Sequence, residues 1–149
     1  MRPDGWKTSG QSPTRATVVE AEARQPEATE GTTPQLILIA TGSEVSLAME
    51  ARESLQKDGI ATRVVSMPCT ELFDEQSEDY RNQVLIPSVP ARLAIEAGVR
   101  QCWDRYVGLE GDVIGLDRFG ASAPGDVAMR ELGFNMENVL KHAKALLKN

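Results

Sequence analysis

The chain has 149 residues, of which 41% are hydrophobic and 26% charged, with a net charge of −6. That composition fits one globular domain with an appendage and excludes fibrous, wholly disordered and membrane-embedded classes. The acidic balance, with Lys and Arg scattered, excludes a phosphate-backbone binder, and no apolar run approaches the roughly 18–20 residues of a spanning helix, so neither nucleic acid nor membrane is expected as a partner.

Residues 1–34 hold four of the eight prolines and no Leu, Ile, Phe or Tyr. They bury too little apolar area to offset their ordering entropy and read as a disordered polar tail, with a short docking helix over 17–24 as the alternative. Arg2 lacks an apolar segment behind it, and Asp4, Glu20 and Glu22 oppose a transit peptide, so a cytoplasmic location is expected. The folded unit is then 35–149. Within it, Leu36, Ile37, Leu38, Ile39 and Ala40 form an apolar run of the kind buried on both faces of a parallel sheet. A helix over 43–57 follows, with Thr41 and Glu44 at capping-box spacing.

Further strands are predicted over 62–67, 92–96 and 112–117, and helices over 74–84, 99–107 and 125–132. A final helix is capped by Asn135 and carries Val139, Leu140 and Ala143 on one face. Alternation of strand and helix predicts a three-layer α/β fold, a mainly parallel sheet of about five strands flanked by helices.

Ligands of such sheets lie at the carboxyl ends of the strands. Two turns fall there. At Thr41, Gly42 and Ser43, backbone N–H groups at a helix start could hold an anion, but Glu44 already occupies the favourable dipole position, which favours capping. No dinucleotide or P-loop pattern is present.

The second turn contains Phe119, Gly120, Ser122 and Pro124. A nucleophile elbow needs glycine where Pro124 stands, and the single histidine, His142, lies off the apolar stripe of the last helix and reads as solvent-exposed, so a hydrolase centred on Ser122 is disfavoured. Cys69 and Cys102 offer no disulfide framework or zinc spacing, and Cys69 has no basic neighbour in sequence to activate it. Glu96 and Asp117 end predicted strands and form a candidate carboxylate pair. Trp103 and Tyr106 fit either a core or an interface.

The stretch Ile39-Ala40-Thr41-Gly42-Ser43-Glu44-Val45, followed by Arg63-Val64-Val65-Ser66-Met67-Pro68, Phe73-Asp74 and Tyr80-Arg81, resembles the C-terminal domain of transketolase. So do Ala94-Ile95-Glu96-Ala97-Gly98, the run from Trp103 to Gly108, the loop from Phe119 to Pro124, and Leu132-Gly133-Phe134. These matches run in family order over about 35–148, whereas residues 1–34 align with no part of the family. The Met67-Pro68 turn and the Phe119 loop resemble transketolase more than the related domains of pyruvate dehydrogenase β chains or deoxyxylulose-phosphate synthase.

Transketolases transfer two-carbon ketol units between sugar phosphates in the pentose phosphate pathway, using thiamine diphosphate and a divalent metal held by two preceding domains. The resemblance therefore implies a structural and assembly domain that carries no catalytic, cofactor or metal ligand of its own. Its implied partners are the missing transketolase domains or a companion chain, and a second copy in a homo-oligomer, by resemblance a dimer. A stand-alone small-ligand or regulatory module on the same fold is the alternative. The candidate ligand or interface residues are Thr41, Gly42, Ser43, Trp103, Tyr106, Phe119, Gly120, Ser122 and Pro124.

Overall fold

The computed structural model describes residues 17–18, 33–116 and 125–148. Strand β2 (Leu36–Ala40) is buried at every position, because it lies at the centre of the sheet with helices on both sides. Strands β3 (Thr62–Ser66) and β4 (Arg92–Ile95) flank it in parallel, with Leu38 opposite both Val64 and Leu93. Strand β5 (Asp112–Ile114) continues beyond β4, also parallel, and β1 (Thr17–Val18) pairs antiparallel with β3, giving the order β1-β3-β2-β4-β5. The four longer strands thus form the expected parallel α/β sheet. Thr17 and Val18 are extended, so the alternative docking helix does not start at Thr17. The rest of the expected tail, apart from Thr33 and Pro34, lies outside the described residues.

Side chains of β2 alternate between two cores, as the two-residue strand period requires. Ile37 and Ile39 join Val65, Met67, Ala94 and Val113 on one face. That layer is closed by α2 (Thr70–Asp74), α3 (Glu78–Val84) and α4 (Asp104–Val107), through Phe73, Val84, Trp103, Tyr106 and Val107. Leu36, Leu38 and Ala40 face the other layer, packed by Ala48, Ala51 and Leu55 of α1 (Glu44–Lys57) and by Val139 and Ala143 of α6 (Met136–Leu146). Fully burying one such Leu, Ile or Val contributes about 1.5–3 kcal/mol. Asn135 caps α6 as expected, its side chain accepting the Asn138 N–H at 2.9 Å.

Two expected helices are broken. The predicted helix over 74–84 starts only at Glu78, where Ser77 accepts the Tyr80 N–H at 3.3 Å, and Asp74 instead ends the short α2 that turns Phe73 into the core. The predicted helix over 99–107 is a 3-10 turn (Arg100–Cys102) followed by α4. Its approach to the sheet is close: a Cβ on Gly111 would lie 2.4 Å from the Val107 carbonyl oxygen and 2.8 Å from that of Arg92. Packing sets these breaks where helical period alone would carry the helix through. Strand β5 stops at Ile114, and helix α5 (Gly125–Glu131) matches its expectation to within a residue.

Arg92, at the start of β4, ties the segment before the strand to the end of α4. Its Nε donates to the Val89 carbonyl, Nη1 to Tyr106 and Nη2 to Ile86, each at 3.0 Å, and Nη2 also to Leu85 at 3.4 Å. Carbonyls that no helix or strand ladder would satisfy are thereby paired.

Candidate functional site

The carboxyl ends of β2 and β4 lie side by side, so the turn after each faces the other. Gly42 adopts φ +53°, which lets the chain reverse into α1. The Thr41 hydroxyl donates to the Glu96 carboxylate, while Ser43 at the helix N-cap donates from Oγ to Glu44 Oε1 at 2.8 Å and makes no side-chain cap. The expected Thr41 capping box is therefore absent. The Glu44 N–H donates instead to the Thr41 backbone carbonyl at 3.1 Å, while the Thr41 hydroxyl proton is held by the charged Glu96 acceptor across the strand ends. Glu44 itself is only 6% exposed at the head of α1.

The hydroxyls of Thr41 and Ser43 are thus committed to carboxylates, and a buried negative charge stands where a ligand anion would sit. A cleft of about 660 Å³ opens beside this turn, lined by Ser43, Glu44, Glu50, Arg130, Phe134 and Glu137. Its charge favours cations over anions. Phe119, Gly120, Ser122 and Pro124, expected to complete the site from the other turn, lie outside the described residues, as does Asp117.

His142 departs from its expected solvent exposure. Its Nδ1 lies 2.5 Å from Asp112 Oδ2, and each side chain is about two-thirds buried. Asp112 Oδ1 also meets Arg100 Nη2 at 3.3 Å and accepts the Val113 N–H at 2.8 Å. Burial alone would raise the Asp112 pKa, but the hydrogen bonds from His142 and Val113, with the charges of His142 and Arg100, outweigh it and leave it below the usual carboxylate range. With its Nδ1 committed to Asp112, His142 serves to hold α6 to β5.

Trp103 and Tyr106 are each 5% exposed and belong to the core against the sheet. Their rings lie 5.8 Å apart, and Phe73 meets Tyr106 edge-on at 6.0 Å. Within that stretch Leu109 alone presents a large apolar side chain to solvent. Cys69 sits beside Glu71, its thiol donating to Oε2 at 3.4 Å, and Cys102 is exposed.

A second cleft, of about 380 Å³, was not foreseen from the sequence. Arg81 and Asn82 of α3, Arg92 of β4, and Arg105 and Tyr106 of α4 line it, with Asp74 and Glu78 at its rim. Asp74 Oδ2 binds Arg105 Nη1 at 3.0 Å and accepts the Tyr106 hydroxyl at 3.0 Å. Burial, and next the Asp74 hydrogen bond and charge, push the Tyr106 phenol pKa up, so the hydroxyl stays a donor. Spacing along the chain offers no signal for this cleft, whose lining is drawn from Phe73 to Tyr106.

Among the described residues no group of three or more His, Cys, Asp or Glu side chains is placed to hold a metal, and no helix is long and apolar enough to cross a membrane.

Residues 23–135 match the family described as the transketolase-like TK C-terminal domain, a match that begins within residues 1–34, the segment expected to align with no part of the family. A transketolase of Geobacillus stearothermophilus is 53% identical over 114 residues, covering 76% of this chain and 17% of that protein. Transketolase 1 of Escherichia coli (strain K12) is 51% identical over 114 residues, with the same coverage of both chains. Among solved structures, a transketolase from Leishmania mexicana superposes with a TM-score of 0.74 at 36% identity, over 89% of this chain and 18% of that one. The chain spans 17% of the length of these curated relatives, and its parallel sheet with helices on both faces is the fold of the matching structures. The family match and the superposition agree: this chain belongs to the transketolase C-terminal domain family.

Proposed function

We propose that the chain acts as the structural and assembly domain of a transketolase, supporting ketol transfer between sugar phosphates by packing against cofactor-binding domains and contributing to a dimer. The observation that carries this reading is the family match over 23–135 together with a span of only 17% of the curated relatives. A cytoplasmic location belongs to the same reading.

The family implies thiamine diphosphate and a divalent metal, and the strand-end turn, where such a sheet places its ligand, does not fit them. A diphosphate needs N–H donors or cations, whereas the helix-start turn at the strand ends presents the buried Glu44 and two committed hydroxyls. A metal needs clustered oxygen or nitrogen ligands, and the described residues group none. We therefore assign no cofactor ligand at the strand-end turn and name no catalytic residue among the described residues.

The experiment is direct. Purified chain, supplied with thiamine diphosphate, magnesium and a ketose phosphate–aldose phosphate pair, is expected to transfer no ketol unit and to give no calorimetric binding signal for the cofactor. A one-to-one complex at micromolar cofactor overturns the reading. Sedimentation of the chain mixed with the remaining domains of a transketolase is expected to show co-migration, and independent migration would refute the assembly role.

A further inference from the structure

We propose that the cleft between α3 and α4 is a binding site for a small oxyanion, phosphate or carboxylate, received by the guanidinium groups of Arg81 and Arg105. The starting observation is Arg81 Nε, which is buried and has no hydrogen-bond partner, the one such side-chain atom among the described residues. Buried donors are almost always satisfied, and leaving one unpaired carries a desolvation penalty that a ligand would remove. This donor belongs to a residue lining the cleft of about 380 Å³, a space fit for a phosphate or a short dicarboxylate.

The surroundings suit an anion. The chain as a whole is acidic, yet here three guanidiniums face two carboxylates. Of those carboxylates, Asp74 is paired with the Arg105 guanidinium at 3.0 Å and also accepts the Tyr106 hydroxyl at 3.0 Å, and Glu78 stands exposed at the head of α3.

The three arginines have separate tasks. Arg92 spends its donors on the carbonyls of Leu85, Ile86, Val89 and Tyr106 and so shapes the wall with a fixed positive charge. Arg105 is held over the Tyr106 ring, 5.4 Å from its centroid, and bonds Asp74 through Nη1, which leaves the rest of its fork for a ligand. Arg81 supplies the planar fork that meets an oxyanion through paired N–H donors, and the Asn82 carboxamide lies beside it. The larger cleft at the start of α1 has no such donor and three carboxylates, so it does not compete for the same ligand.

The test is a titration of isotope-labelled chain with inorganic phosphate, and separately with malonate, followed by amide NMR at constant ionic strength with chloride as the control. Saturable shifts confined to α3 and α4 are expected. Arg81→Gln should weaken the affinity by roughly tenfold or more, the effect of losing a charge-assisted hydrogen bond. Phosphate binding more tightly than malonate assigns the site to phosphate, and the reverse order assigns it to carboxylates. Scattered, non-saturating shifts, shifts matched by chloride, or an affinity unchanged in Arg81→Gln overturn the proposal. If Arg81→Gln fails to fold, Arg81→Lys decides, since it keeps the charge and loses the fork: weaker affinity supports the site and unchanged affinity overturns it.

Discussion

Removing the Trp103 indole tests whether the aromatic group on α4 works as core. Trp103 is 5% exposed, touches Tyr106 at a ring distance of 5.8 Å, and shares its layer with Phe73, Val84 and Val113 of the sheet-facing core. A buried aromatic removes about 150–250 Å² from water, and at about 25 cal/mol per Å² this is about 4–6 kcal/mol. Alanine retains part of that burial and a compact unfolded chain lowers the figure further. Trp103→Ala should therefore cost about 3–5 kcal/mol, the range usual for such truncations. At about 4 °C per kcal/mol for a domain of this size, Tm falls by roughly 12–20 °C.

The assay is urea and thermal unfolding followed by far-UV circular dichroism, alongside Leu109→Ser as the exposed counterpart. Leu109 is fully exposed, so its substitution should change stability by no more than about 0.5 kcal/mol. Sedimentation separates packing from assembly: the tryptophan variant should keep the association state of the wild type under conditions where it is folded. A loss below about 1 kcal/mol for Trp103→Ala, or a shift towards monomer without loss of stability, would refute the core assignment.

Two further outcomes follow from the polar ties. Asp112 has a folded pKa below its unfolded value, so its contribution is fully present above the ordinary carboxylate pKa and is lost as pH falls through the lower folded one. Tm measured against pH should fall across that acid window in the wild type and fall less in Asp112→Asn, and parallel curves would argue against the Asp112–His142 tie. Arg92→Lys keeps the charge but cannot reach the carbonyls of Val89, Ile86 and Tyr106 together, so unfolding free energy should drop by about 1–3 kcal/mol, and equal stability of the two forms in denaturant titration would refute the clip.

The strands and most helices were legible from the sequence because their signals are local. An unbroken apolar run marks β2 as buried on both faces, and Asn135 ahead of a 3.6-residue stripe marks the start of α6. Family motifs over the same stretch were legible for the same reason, as short runs in fixed order.

Tertiary structure decided what joins distant positions. The spacing of Thr41 and Glu44 fits a local cap, and only the pairing of β2 with β4 brings the Glu96 carboxylate, 55 residues away, into reach of the Thr41 hydroxyl. His142 looked solvent-facing on its own helix, but packing of α6 against the sheet set it on Asp112 at 2.5 Å. The helices expected over 74–84 and 99–107 broke because burying Phe73 and Trp103 against one sheet face is worth more than a few further turns of helix hydrogen bonds, whose net contribution is small. The arginine cleft has the same origin, since Arg81, Arg92 and Arg105 share no sequence period and converge only where α3, β4 and α4 pack together. Periodicity reports which face of an element is buried, and the partner across the gap is set by long-range packing that no local window contains.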